Sequence, residues 1–213
     1  MIEAVIWDFG GVFTSSPFEA FARFERERGL PAGFIADVNR RNYEDNAWAR
    51  FERSELTLDQ FDTAFAGEAR ALGHEVRGAD IVALLAGDFR PEMIAALKKI
   101  AARFKTGCIT NNVPANQTGS NDGRALYARE VMEHFHHVIE SSKVGIRKPD
   151  PRIYRMMCEA LDVAPAACVY LDDLGVNLKP ARAMGMMTIK VTNADQALAE
   201  LEAAIGMALR SRA

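Results

Sequence analysis

Two short apolar runs constrain this chain more than any other feature, because polar residues interrupt neither of them and both end in acid. Ala4-Val5-Ile6-Trp7 leads into Asp8-Phe9-Gly10-Gly11, and Cys168-Val169-Tyr170-Leu171 leads into Asp172-Asp173. A strand that is apolar on both faces has to be covered on both faces, which points to a parallel sheet between helical layers. Side chains alternate across a strand, so Asp172 and Asp173 cannot share an environment: one can face a cation while the other props up a neighbouring group. Two strands of one sheet that both end in Asp can build a Mg²⁺ site, since hard divalent cations select carboxylate and carbonyl oxygen.

From Pro91 onward the chain alternates helix and strand. Pro91 suits a first helical turn, and Met93, Ile94, Leu97 and Ile100 then form a buried face. A strand follows, ending Cys108-Ile109-Thr110, then a polar loop from Asn111 to about Arg124 that can border a site, and a helix near 125–134. Next come the strand His137-Val138-Ile139, a helix over about 151–161, the strand 168–172 and a helix near 177–183. The strand 187–191 and a last helix, from about 194 to the end, complete the series. This alternation predicts an α/β fold, a three-layer α/β/α sandwich with a parallel sheet. Ligands in such sheets sit at the carboxyl ends of the strands, where Asp8, Thr110, Asp172 and Asp173 fall.

Residues 17–87 break the pattern, because their apolar residues recur only at helical spacing. Phe18, Phe21, Ala22 and Phe24 share one helix face. Thr57 suits an N-cap, with Gln60 at the capping-box position and Leu58, Phe61 and Phe65 as the stripe that follows. A helical insert directly after the first strand predicts a second, smaller lobe. The expected division is a core of residues 1–13 and 89–213 and a helical cap of residues 14–88.

The 213 residues are 49% apolar, enough for a sizeable core without staples. A net charge of −3 gives no general electrostatic case for nucleic acid or an anionic membrane. No apolar run reaches the ~18–20 residues of a membrane span. Lys98, Lys99, Arg103 and Lys105 read as a solvated helix end. Cys108, Cys158 and Cys168, odd in number and set in apolar runs, read as buried reduced thiols. His134, His136 and His137 have no Cys partner nearby and read as helix-end and strand-edge residues. Glu3 and Asp8 fit no signal peptide. The expectation is a cytoplasmic monomer or homodimer with a small-molecule partner, no nucleic acid and no membrane.

Four segments fall in order: Asp8 after the first strand, Thr110-Asn111-Asn112, Lys148-Pro149, and Asp172-Asp173 with Asn177. Together they resemble the four motifs of the haloacid dehalogenase (HAD) superfamily, subfamily I, over essentially the whole chain, and the insert matches that family's small helical cap. The segments 140–151 and 171–182 are similar to the N-terminal phosphatase domain of soluble epoxide hydrolases. The resemblance implies a HAD-like Rossmannoid core and Mg²⁺-dependent hydrolysis of a small phosphate ester. Asp8 would be the nucleophile that forms an aspartyl-phosphate. Asp8, Asp173 and the carbonyl of Gly10 would ligate Mg²⁺. Thr110 and the backbone N–H of Asn111 would bind phosphate oxygen, and Lys148 would add a fixed positive charge. Asp172 would orient Lys148 or a metal-bound water, and Asn177 would order the loop of Asp173 or hold such a water. The resemblance carries no epoxide activity, because the chain has no G-x-S-x-G nucleophile elbow.

The departure from the family pattern is Gly10, where its phosphatases carry a second Asp that protonates the leaving alcohol. General acid–base catalysis is typically worth about 10²–10⁴-fold. Three readings follow: a phosphatase for substrates with good leaving groups, a haloacid dehalogenase-type hydrolase, or a phosphate-binding or regulatory protein with weak turnover. Thr14, Ser15, Ser16, Glu44 and Asp45 are candidate substitutes for the acid. Phe13, Phe18, Tyr43, Trp48 and Phe51 are candidate substrate contacts, although core packing is the favoured reading for most of them.

Overall fold

The computed structural model describes residues 1–113 and 123–210. Most of the loop 111–124 therefore lies outside the described residues. The chain opens with β1 (Ala4–Trp7) and passes through five short helices, α1 (Pro17–Glu27), α2 (Phe34–Arg40), α3 (Ala47–Glu52), α4 (Leu58–Arg70) and α5 (Gly78–Val82). It then alternates: α6 (Pro91–Ala101), β2 (Lys105–Thr110), α7 (Gly123–Met132), β3 (His137–Glu140), α8 (Ser141–Val144), α9 (Pro151–Leu161), β4 (Cys168–Asp172), α10 (Gly175–Ala183), β5 (Met187–Lys190) and α11 (Ala194–Ile205).

Among the described residues, all strand pairs of the sheet are parallel, and its five strands run β3-β2-β1-β4-β5. Strand alternation sorts the core. Val5, Trp7, Cys108, Val169 and Leu171 face a layer that holds Met93, Leu97, Leu198 and Leu201 of α6 and α11. Ala4, Ile6, Ile109, Cys168 and Tyr170 face Ile153, Tyr154, Met157, Leu178 and Ala181 of α9 and α10. The central strands β1 and β4 are therefore buried on both faces, as their uninterrupted apolar runs require. The chain reverses direction across the sheet between β1 and β4, which makes the crevice beyond their carboxyl ends the natural ligand site.

The helices of the insert bury a separate apolar cluster that includes Phe21, Ile35, Phe51, Phe61, Phe65 and Ile81. Thr57 and Gln60 form the full capping box that opens α4. Two linkers tie the insert to the sheet as a small antiparallel ladder. Thr14 bridges Phe89, Ser15 N–H donates to Asp88 O (2.7 Å), and Arg90 N–H donates to Phe13 O (2.8 Å). Gly87 permits that approach, because a Cβ there would stand 2.5 Å from Ser15 O.

Two local expectations need correction. The last helix stops at Ile205 rather than running on, because Gly206 turns left-handed (φ 65°) and Glu202 then takes the N–H groups of Leu209 and Arg210. The short helix α8 follows β3 directly where no helix is expected. Phe13 and Phe51 pack into the two cores, Phe13 against Trp7 and Phe51 stacked on Phe61, which removes both as substrate contacts. Lys99 and Lys105 of the basic cluster donate to backbone carbonyls at Leu209, Leu161 and Asp162. The three cysteines are buried and unpaired by any disulfide. Among the described residues, no helix is long and apolar enough to cross a membrane.

Candidate active site

Asp8 follows β1, and its backbone N–H donates to Leu171 O at 2.8 Å, level with the end of β4. Tyr170 and Asp172 share one face of β4 because they are two residues apart. That register, with the segment before α9 crossing above it, brings four charged groups together. Lys148 Nζ lies 2.7 Å from Asp8 Oδ1 and 2.8 Å from Asp172 Oδ2. Lys148 and Asp172 are essentially inaccessible to solvent, and Asp8 is 7% exposed. Asp173, on the other side of the turn, is only partly buried and accepts from Ser16 Oγ at 3.3 Å.

Asp172 is saturated. Beyond Lys148, it accepts from Tyr170 OH, from Leu174 N–H (2.8 Å) and from Asn177 Nδ2 on both oxygens (3.1 Å each). Tyr154 OH in turn donates to Asn177 O at 2.7 Å. Asp172 is thereby a brace that orients Lys148 and shapes the turn bearing Asp173. Asn177 reaches Asp172 rather than Asp173 itself, and it orders the loop through that carboxylate.

Two contributions are not visible in the sequence. Asn111 clips the main chain of Lys148 with its side chain, accepting from Lys148 N–H at 2.8 Å and donating to Lys148 O at 3.0 Å. Nothing local in Thr110-Asn111-Asn112 signals a partner 37 residues away. Gly11 is the second. Its φ of 72° is left-handed, and a Cβ there would stand 2.2 Å from Asp173 Oδ2. Gly10 differs, since a Cβ at that position meets nothing within 4 Å. Gly11→Ala is therefore expected to cost about 1–3 kcal/mol through backbone strain and crowding, while Gly10→Ala is nearly neutral. Urea unfolding of the two variants checks this, and equal losses would count against the close Gly11–Asp173 approach.

The candidate replacement acids divide. Thr14 Oγ1 accepts from Gly11 N–H, Ser15 Oγ from Asp88 N–H, and Asp45 pairs with Arg53. Of these candidates, Ser16 is the one whose hydroxyl is held at the carboxylate cluster, on Asp173.

The charge count bears on a metal. Ligand atoms of Asp8, Asp172 and Asp173 all lie within 4.8 Å of one another. Three carboxylates against one ammonium leave two negative charges in a largely buried cluster, the deficit a divalent cation balances. The titration behaviour agrees. Burial, aided by the charge of Asp172, pushes the Asp8 carboxyl up to about 8 despite Lys148. Burial and Asp172 push Asp173 up to about 6. Burial alone would lower the Lys148 ammonium, but Asp172 and Asp8 together hold it above its ordinary value. With Asp172 saturated, Asp8 and Asp173 are the carboxylates left for an ion, and their all-oxygen chemistry fits Mg²⁺.

The family model for haloacid dehalogenase-like hydrolases matches residues 2–185. Over 98% of its length the chain is 31% identical to Bifunctional epoxide hydrolase 2 of Sus scrofa, and it spans 40% of the length of that relative. It is 29% identical to a phosphatase of Mycobacterium tuberculosis, covering 92% of this chain and 89% of that protein. The structure superposes on a protein of Porphyromonas gingivalis described as a predicted HAD-like family hydrolase, with a TM-score of 0.69 at 20% identity, each chain covered in full. The chain belongs to the haloacid dehalogenase-like hydrolases.

Proposed function

We propose that this hydrolase cleaves phosphate monoesters through an aspartyl-phosphate on Asp8, with Mg²⁺ as cofactor and a preference for good leaving groups. The observation that carries the reading is the buried Lys148–Asp8 contact, set beside Asp173 at the crevice between β1 and β4. A phosphatase among the relatives, covered over most of both chains, supports the same reaction class.

Lys148 holds one Asp8 oxygen, and Phe9 N–H donates to the same oxygen at 2.7 Å, which leaves the other oxygen to attack phosphorus. The Asp8–O–P bond forms as the bond from phosphorus to the ester oxygen breaks, and the departing alkoxide leaves with the ester electrons. Water then adds to phosphorus, the acyl-phosphate bond breaks, and phosphate leaves with Asp8 regenerated. Mg²⁺ held by Asp8, Asp173 and the Gly10 carbonyl would supply the positive charge that lets two anions meet. Thr110, Asn111 N–H and Lys148 bind phosphate oxygens in this scheme. The helical insert acts as a cap that shields the substrate from bulk water during transfer to Asp8 and opens to admit the hydrolytic water and release product.

No side chain at Gly10 protonates the leaving oxygen, so the rate should depend on how readily that oxygen leaves as an anion. The test is phosphate release from aryl phosphates of graded leaving-group pKa, with Mg²⁺ and with chelator. Metal-dependent turnover that falls steeply as leaving-group pKa rises is expected. Gly10→Asp, for which the turn has space, should flatten that slope and raise the rate for alkyl phosphates by roughly 10²-fold. Halide release from a 2-haloacid without metal, with no phosphate release, would establish the dehalogenase reading in its place.

A further inference from the structure

The insert touches the core far from its linkers through a compact polar junction. Glu52, the last residue of α3, has a side chain only 8% exposed and receives Arg147 Nε at 2.6 Å on one oxygen and Trp48 Nε1 at 2.8 Å on the other. Arg147 also donates to Tyr43 O at 3.2 Å and lies 5.8 Å from the centre of the Tyr43 ring. Beside this pair, Ser141 Oγ donates to Glu52 O (2.8 Å) and Ser54 Oγ donates to Ser142 O (2.6 Å).

On the core side the junction is continuous with the active site by two routes. Arg147 is the peptide neighbour of Lys148. Asn112 accepts from Ser142 N–H and Ser142 Oγ and donates to Glu140, and it follows Asn111, which clips the Lys148 main chain. Whatever fixes Arg147 and Ser141–Ser142 against the cap also fixes the segment that presents Lys148 to Asp8.

We propose that Arg147 and Glu52 are positioning residues: their ion pair latches the cap to the core and holds the Lys148 segment in register, so cap closure and the Lys148–Asp8 contact form together. The proposal rests on the phosphatase reading for its kinetic consequence but not for the coupling itself. A planar guanidinium suits the task, because it grips a carboxylate and a backbone carbonyl from different nitrogens. Its near-burial gives the pair more weight than an exposed ion pair would have.

The test combines Arg147→Met, Glu52→Gln, their double variant and Arg147→Lys, read by amide hydrogen exchange and by kcat and KM on an aryl phosphate with Mg²⁺. Exchange should rise together in 47–54 and 141–148 for each Met or Gln variant and stay unchanged in β1 and β4. The value of kcat/KM should fall roughly tenfold, the double variant should be no worse than the worse single, and Arg147→Lys should recover part of the loss. Faster exchange in α3 alone, with 141–148 and kcat/KM as in the wild type, overturns the proposal, and so do additive losses. If the wild type releases no phosphate, the phosphatase reading fails, and the exchange data alone decide whether α3 and the Lys148 segment move as one.

Discussion

Asp8→Asn is expected to lower phosphate release on the order of 10⁴-fold or more while leaving the fold intact. An amide oxygen is a poor nucleophile and cannot form the acyl-phosphate, so the loss falls on the chemical step. Stability should move the other way. The carboxyl of Asp8 is held well above its ordinary range by burial and by Asp172, which means that its charged form is disfavoured in the folded chain. A neutral amide of the same shape removes that penalty, the usual relation between a strained active site and stability. Phosphate release with Mg²⁺ and urea unfolding without added metal read the two effects. A variant that loses activity only because it unfolds would contradict the assignment of Asp8 to chemistry.

Lys148→Met should have the second-largest effect, and on both quantities. The side chain is buried and is the ammonium shared by Asp8 and Asp172. Removing one partner of a buried ion pair costs about 3–5 kcal/mol, because the partner charges remain. The loss of fixed charge in the transition state should cost a further 10²–10³-fold in turnover, roughly the value of one preorganised donor. The deficit in stability has a pH signature. Asp8 and Asp173 have folded values of about 8 and about 6, above their ordinary 3.8. Groups raised on folding stabilise fully below the unfolded value and lose that contribution as pH rises through the folded one. These two carboxyls therefore weaken the metal-free protein as pH climbs from about 4 to 8, and Mg²⁺ should restore stability at the upper end. Lys148→Met raises both groups further, so its deficit should shrink at pH 5 and grow at pH 8. Unfolding at the two pH values, with and without Mg²⁺, checks this. A deficit independent of pH and metal would show that Lys148 serves packing alone.

The sheet was legible because its central strands are short, apolar on both faces and β-branched, a pattern that fits few other structures. Asp8, Thr110 and Asp172 could be found because each terminates such a strand, and alternation alone separated Asp172 from Asp173. Most of what supports them was not legible, although the family resemblance set Asp172 beside Lys148 and Asn177 on the loop of Asp173. The Asn111 clip on Lys148, the Tyr154–Asn177–Asp172 chain and the Glu52–Arg147 pair join residues that are distant in sequence. Each is a polar side chain that reads locally as turn or surface. Gly11 carries its signal in a backbone angle and in the approach of Asp173, neither of which the pair Gly10-Gly11 reveals. Phe13 and Phe51 take the core packing that the sequence favours for such aromatics, since aromatic character near a site does not distinguish a substrate contact from core.

The central claim is covalent phosphorylation of Asp8, and the most direct measurement traps it. The protein is mixed with an aryl phosphate and Mg²⁺, quenched during turnover and reduced with borohydride, which converts an aspartyl-phosphate to homoserine. Peptide mass spectrometry should find homoserine at position 8, absent with chelator and absent in Asp8→Asn. Phosphate release without any conversion at position 8 would mean that water attacks the ester directly, and Asp8 would then be a charge in the site rather than its nucleophile.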